Sequence, residues 1–302
     1  MMKRKWWALL LPVFLNIACD RFHSQPSIVL FEALPAHRTG IRFENSLTST
    51  DDFNIYKYRN FYNGGGVGIG DVNNDGLLDL YFTANQEPNR LYLNRGDWRF
   101  EEVTQKAGIG GQRAWSTGIS MVDINADGWM DLYVCNSGDV KGDNKQNEFF
   151  INNGPSADGS GVTFTDRAEE MGLDDRGFST HAAFFDYDKD GDLDVYLLNN
   201  SYRSIGRFNL RENERPIRDE MGGDKLYRND NGKFIDVSEE AGIFGSEIGF
   251  GLGVAVSDLN RDGWMDLYIS NDFFERDYLY LNNGDGTFSE QLEKQMRSIS
   301  NA

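Results

Sequence analysis

The stretch Gly64 to Phe82, GGGVGIGDVNNDGLLDLYF, decides how the rest of this chain is read, because its middle, DVNNDGLLD, returns three times. The copies are DINADGWMD (Asp123 to Asp131), DYDKDGDLD (Asp186 to Asp194) and DLNRDGWMD (Asp258 to Asp266), each followed by an apolar residue and then tyrosine. Oxygen-bearing side chains at positions 1, 3 and 5 converge on one point only where the backbone curls around it. Glycine at position 6 supplies the positive-φ turn that keeps it curling. Position 7 can then offer its carbonyl, and aspartate at position 9 closes the cage. Six to eight oxygens of mixed type suit Ca²⁺, whereas Mg²⁺ retains its waters in a strict octahedron. Calcium is the expected ion.

The first five ligand positions match an EF-hand, which also needs a bidentate glutamate at position 12 and a helix on each side. Position 12 is instead Phe82, Val134, Leu197 and Ile269, and the flanks are rich in β-branched and aromatic residues. These favour strands, so each loop is expected at the turn of a β-hairpin. The glycine run Gly64 to Gly70 does not satisfy G-x-G-x-x-G and leads into a strand, which leaves a dinucleotide site unsupported.

Outward from the loops, each repeat follows one grammar. Apolar residues stand two and four places ahead of the first aspartate: Ile69 and Val67, Met121 and Ile119, Phe184 and Ala182, Val256 and Val254. Small residues alternate with them at Gly68, Ser120, Ala183 and Ala255, as an inner strand packed close to its neighbours requires. A second strand follows the loop. A third is NRLYLN at Asn89 to Asn94, matched by NEFFIN, DKLYRN and DYLYLN, and a fourth begins at Phe100, Phe164, Phe234 or Phe288. Four strands per unit at this period predict an all-β fold, a β-propeller of four-stranded antiparallel blades. The repeats span residues 63–109, 115–173, 178–243 and 250–296. Because the grammar is still running at the end, the four repeats are expected to be part of a larger propeller. A charged insertion, Ser201 to Gly223, lengthens the third repeat and reads as a solvated excursion, with a partner-binding loop as the alternative.

Residues 1–19 read as an export signal: Lys3, Arg4 and Lys5, an apolar run from Trp6 to Leu15, then Ile17, Ala18 and Cys19. The run is too short for an ordinary membrane span. Its ending resembles a lipoprotein signal, with Cys19 lipidated, although Asn16 stands where leucine is usual. Ordinary cleavage, leaving Cys19 free or paired with Cys135, is the alternative. Two cysteines provide no disulfide framework. Residues 20–62 contain a segment, FEALPAHRTGI at 31–41, that resembles FEEVTQKAGI at 100–109 and is a candidate blade-closing strand. Net charge is −18, which four bound Ca²⁺ would bring to about −10. No basic stripe offers itself to phosphates, and nucleic acid is not an expected partner.

Taken together, these motifs resemble the FG-GAP or VCBS repeat family, as in the propeller of integrin α-subunits. The longer pattern, FYNGGGVGIGDVNNDGLLDLYF with NRLYLN and FEEVTQKAGI, looks like bacterial relatives of cartilage acidic protein in the ASPIC and UnbV family. The resemblance implies four calcium sites. Their ligands would be Asp71, Asn73, Asp75, the Leu77 carbonyl and Asp79; Asp123, Asn125, Asp127, the Trp129 carbonyl and Asp131; Asp186, Asp188, Asp190, Asp192 and Asp194; and Asp258, Asn260, Asp262, the Trp264 carbonyl and Asp266. The third loop departs from the others by its aspartates at positions 3 and 7.

The resemblance further implies a cell-envelope adhesion module for a protein or glycan ligand, on a bacterial outer membrane or cell surface, touching the membrane only through Cys19. It does not indicate an oligomeric state. Trp129 and Trp264 can stack on sugar rings or pack against an adjacent blade, and packing is the expectation. A polysaccharide lyase or hydrolase on the same scaffold is the rival reading, as is a passive scaffold. His23, His37 and His181 pair with no nucleophile in any motif, so no enzymatic activity is expected.

Overall fold

The computed structural model describes residues 30–113, 115–137, 145–156, 161–202, 213–272 and 275–295. The export signal and Cys19 lie outside them. Met1–Pro35 is a unit of its own, whose described residues, 30–35, carry no regular structure. The second unit, Ala36–Ala302, holds the repeats.

Each repeat folds as one antiparallel four-stranded sheet whose strands are neighbours in sequence. The first comprises β1 (Val67–Gly70), β2 (Asp79–Phe82), β3 (Arg90–Asn94) and β4 (Phe100–Glu102). The second has β5 (Ser116–Val122), β6 (Asp131–Asn136), β7 (Glu148–Pro155) and β8 (Val162–Asp166); the third, β9 (Ser179–Phe185), β10 (Asp194–Asn199), β11 (Lys225–Asn229) and β12 (Phe234–Asp236). The fourth has β13 (Gly251–Ser257), β14 (Asp266–Asn271), β15 (Tyr278–Asn282) and β16 (Phe288–Glu290). Inner strands β1, β5, β9 and β13 lie side by side in that order, as blades of an all-β propeller do. Among the described residues no comparable packing joins β13 back to β1.

The hydrophobic core is divided between neighbours. One cluster joins Tyr81, Leu91, Leu93 and Ile109 of blade 1 to Ile119, Leu132, Val134 and Phe150 of blade 2. A second joins blades 2 and 3, and a third joins Tyr196, Leu226 and Ile243 of blade 3 to Leu267, Ile269 and Tyr280 of blade 4. Close approach requires small residues: a Cβ on Gly68 would lie 2.9 Å from the Met121 side chain.

Each blade but the last hands on to the next through one device. After the outer strand comes a helical turn, α2 (Thr104–Ala107) or α3 (Ala168–Met171), ended by a left-handed glycine, Gly108 (φ 74°) or Gly172 (φ 84°). That glycine sits over the carbonyl of a phenylalanine in the next blade's outer strand, Gly108 over Phe164, Gly172 over Phe234 and Gly242 over Phe288. Residues 31–41 carry no strand, which corrects the expectation of a blade-closing strand. They instead form α1 (Ala36–Thr39) followed by Gly40 at φ 81°, set over the Phe100 carbonyl, so the segment reproduces the tail of a preceding blade.

Residues 45–63 are not a linker but a hub. Tyr58 and Phe61 form a buried cluster with Trp115 and Phe178, to which Leu47, Phe53 and Met221 add. The Tyr58 hydroxyl donates to Ser137 Oγ (2.9 Å), Asn45 Nδ2 donates to Asn85 Oδ1 (2.8 Å), and the Arg59 guanidinium lies 5.0 Å from the Phe250 ring centroid. The segment thereby touches all four blades. Trp115, Phe178 and Phe250 each stand just before an inner strand, eight residues ahead of a loop's first aspartate. Within the insertion, residues 213–223 are also anchored: Arg215 pairs with Glu275 (2.8 Å), and Arg218 donates to the Ile243 carbonyl (2.9 Å). It is not the free excursion expected; residues 203–212 lie outside the described residues.

Candidate metal loops and ligand cleft

All four DxxxDGxxD segments connect β-strands 1 and 2 of their blade, and their backbones repeat. Position 6 is a left-handed glycine: Gly76 (84°), Gly128 (86°), Gly191 (100°) and Gly263 (91°). Position 4 is left-handed too, at Asn74, Ala126, Lys189 and Arg261, with φ between 54° and 65°. Two such residues bracketing position 5 wind the chain tightly enough to bring its carboxylate back towards position 1.

In the first loop, Asp71 accepts the Asp75 and Gly76 N–H groups (3.2 and 2.8 Å), and Asp75 accepts the Leu77 N–H (2.9 Å). Asn73 Nδ2 donates to Asp75 Oδ2 (3.0 Å). The second and fourth loops repeat this through Asp123, Asn125 and Asp127 and through Asp258, Asn260 and Asp262. These hydrogen bonds tie positions 1, 3 and 5 together in the three loops, but among the described residues three carboxylates converge only in the third loop.

Position 9 does something further. Asp79, Asp131, Asp194 and Asp266 are fully buried. One oxygen of each accepts the N–H of position 2 (Val72, Ile124, Tyr187, Leu259) at 2.8–3.1 Å. The other accepts the N–H of an asparagine on the third strand of the blade (Asn94, Asn152, Asn229, Asn282) at 2.7–2.9 Å. Burial pushes the carboxyls of Asp79 and Asp131 up to about 6 and that of Asp194 up to about 7, opposed by these hydrogen bonds and assisted by neighbouring loop aspartates. A carboxylate oxygen has two lone pairs, so position 9 can staple the hairpin and still face an ion.

The third loop is the most open to a cation. Asp186, Asp188 and Asp194 bring carboxylate oxygens within 4.8 Å of one another. Asp186 Oδ1 and Asp192 Oδ1 are buried with no hydrogen-bond partner among the described residues. Burial first, then repulsion from Asp190, raises the Asp192 carboxyl to about 6, and Asp188 is raised for the same reasons. Asp186, Asp188 and Asp194 form a hard, all-oxygen donor set suited to Ca²⁺, a group that does not include Asp190 or Asp192.

Neighbouring loops touch. Asn74 Nδ2 donates to the Gly128 carbonyl (2.9 Å), Asn152 Nδ2 to the Val72 carbonyl (2.9 Å) and Asn282 Nδ2 to the Tyr187 carbonyl (2.8 Å). The Lys189 ammonium lies 4.0 Å from the Trp264 ring centroid. Trp129 and Trp264 cover the left-handed glycines Gly154 and Gly284 of their own blades, which places them in packing roles.

At the hub lies a cleft of about 940 Å³ that the sequence reading missed, bounded by Thr48, Asp52, Phe53, Lys57, Gln86 and Trp115. Trp115 adopts a left-handed backbone (φ 66°), and its buried indole N–H meets no acceptor among the described residues. His181 on β9 packs against Gly118 of β5, and burial lowers its imidazole pKa. Cys135 is a free, buried thiol on β6.

The FG-GAP-like repeat family profile matches residues 48–134, 217–269 and 258–300. Cartilage acidic protein 1 of Xenopus tropicalis is 27% identical over 218 residues, covering 70% of this chain and 29% of that protein. The human protein of that name is 27% identical over 211 residues, covering 70% of this chain and 28% of its own length. The matched part of the chain thus spans under a third of these relatives.

Proposed function

Since the chain belongs to the FG-GAP-like repeat family, we propose that it is an exported β-propeller, stabilised by Ca²⁺ in its hairpin loops, that acts as a binding module for a protein or glycan and has no catalytic role. The observation that carries this reading is the third loop, where Asp186, with a buried oxygen that has no hydrogen-bond partner among the described residues, lies beside the carboxylates of Asp188 and Asp194. The residues that would hold ions are positions 1, 3, 5, 7 and 9 of each loop. Bound Ca²⁺ supplies counter-charge to carboxylates that repel one another, which locks the hairpin tips and, through Asn152 and Asn282, the loops of adjacent blades. The apolar run ahead of Cys19 supports export, with lipidation of Cys19 anchoring the chain in a bacterial envelope.

Titration calorimetry tests the metal reading: several Ca²⁺ sites are expected, and Asp190→Ala should remove one. A melting temperature indifferent to EDTA would overturn it. The ligand reading is tested on a glycan array and in pull-downs with purified chain and with Lys57→Glu, which alters the cleft wall. Binding that weakens in the variant supports the cleft as the ligand site.

A further inference from the structure

Buried hydrogen bonds join the position 9 aspartates of neighbouring loops across some blade joints and not others. Between blades 1 and 2, Asp79 accepts the Val72 N–H (3.0 Å), the Val72 carbonyl accepts from Asn152 Nδ2 (2.9 Å), and Asp131 accepts the Asn152 N–H (2.7 Å). Between blades 3 and 4 the same path runs from Asp194 through Tyr187 and Asn282 to Asp266, at 3.0, 2.8 and 2.9 Å. Val72, Tyr187 and both asparagines are buried, so water does not compete for these bonds. The joint between blades 2 and 3 lacks the link. Asn229 gives its N–H to Asp194 (2.9 Å), but among the described residues its side-chain amide donates only to the Leu193 carbonyl of its own blade (3.1 Å). It does not reach Ile124, which holds the place of Val72 and Tyr187 in loop 2.

A second kind of contact, made by different residues, shows the same alternation. Position 4 of loop 1 reaches loop 2, where Asn74 Nδ2 donates to the Gly128 carbonyl (2.9 Å). Position 4 of loop 3 reaches loop 4, where the Lys189 ammonium lies 4.0 Å from the Trp264 ring centroid. Loop 2 has Ala126 at that place, and a methyl group can make neither contact with loop 3.

We infer that the calcium loops work as two pairs, 1 with 2 and 3 with 4, and that Asn152 and Asn282 are the positioning residues through which each pair binds its two ions cooperatively. This pairing rests on calcium occupancy of the loops as proposed above. An ion at one loop fixes the position 9 carboxylate from which the asparagine hangs, and the asparagine in turn fixes positions 2 and 9 of the neighbour. The order that the second loop needs is then already in place. Its ion binds more tightly, and linkage makes the effect equal in both directions. Loops 2 and 3 share no such path and fill independently of each other.

Calcium titration of the purified chain, followed through the amide NMR signals of the position 6 glycines Gly76, Gly128, Gly191 and Gly263, reads each loop separately. In the parent, Gly191 and Gly263 should move together, over a calcium range narrower than single-site binding gives. Asp262→Ala, which removes a ligand from loop 4, should weaken calcium at loop 3 by about 5- to 150-fold and leave loops 1 and 2 at their parent affinities. Asp127→Ala in loop 2 should weaken loop 1 and spare loop 3. Asn282→Ala should shrink the factor by which Asp262→Ala weakens loop 3. Because Asn282 also supports blade 4, Lys189→Ala is the second variant: Ala126 adopts the same left-handed backbone (φ 54°) in loop 2, so the fold should be kept while the factor again falls. Four glycines that each follow a single-site curve overturn the pairing alone, as does an Asp127→Ala chain whose loop 3 is weakened as much as loop 1. No calcium-dependent shift at any of the four overturns the calcium reading and the pairing with it.

Discussion

Two loop aspartates, one at position 9 of the second loop and one at position 5 of the third, have separable work. Asp131 accepts the Ile124 and Asn152 N–H groups inside the blade, so Asp131→Asn turns an amide towards a buried donor and should cost about 1–3 kcal/mol even in EDTA. Asp190, at an exposed loop tip, should behave in the opposite way. Asp190→Ala is expected to abolish part of the calcium-dependent rise in melting temperature while leaving the EDTA value unchanged or higher, because a repelling charge has gone. Paired thermal melts with and without calcium distinguish the two.

Asp224 makes a pH prediction at the same scale. It is fully buried, accepts the Asn199 N–H (2.9 Å) and the Tyr196 hydroxyl (2.8 Å), and burial pushes its carboxyl up to about 7. A folded-state pKa above the unfolded value means the native chain holds the proton longer, so this group's contribution to stability falls as pH rises from about 4 to about 7 and is flat above that. Blades 1 and 2 have asparagine at the corresponding place, Asn89 and Asn147. Asp224→Asn should therefore flatten the dependence of denaturant midpoint on pH between 5 and 8 and raise the midpoint at pH 8; an unchanged slope would show that the proton is not held there.

At the scale of the element, the strands were legible because their evidence is local. Alternation before each loop, aspartate spacing within it and tyrosine after it lie within about ten residues, and β1 to β16 fall where those patterns put them. Position 4 of the loops was not legible. Asparagine tolerates left-handed backbone, but Ala126, Lys189 and Arg261 do not advertise it. The tail that joins blades was half legible: Gly40 was found by its resemblance to Gly108, but a glycine over a distant carbonyl reads locally as the end of a helix. Gly172→Ala would put a methyl 2.7 Å from the Phe234 carbonyl at φ 84°, and should cost roughly 1–3 kcal/mol in chemical denaturation.

For the whole molecule, the hub was hidden because its partners are far apart in sequence, Tyr58 and Ser137 by 79 residues. The aromatic residue eight places before each later loop, Trp115, Phe178 and Phe250, is the repeated sequence signal that could have pointed to it. Trp115→Ala should cost about 3–5 kcal/mol and loosen several blades together, visible as loss of amide protection in β5 and β9 alike. Calcium should act on the same scale: at a Kd of about 0.1 mM and about 1 mM free ion, each site adds roughly 1.4 kcal/mol, so chelation should lower the melting point by several degrees.

The division of the core between neighbours sets the unit in which this architecture can be rearranged. Tyr81, Leu91 and Leu93 share one buried cluster with Ile119, Leu132 and Val134 of the next blade. A cassette cut at the sequence repeat would carry two unmatched surfaces into any host. One that runs from the middle of one blade to the middle of the next carries an intact interior, so grafts and deletions in this chain should be tolerated at the second phase and rejected at the first.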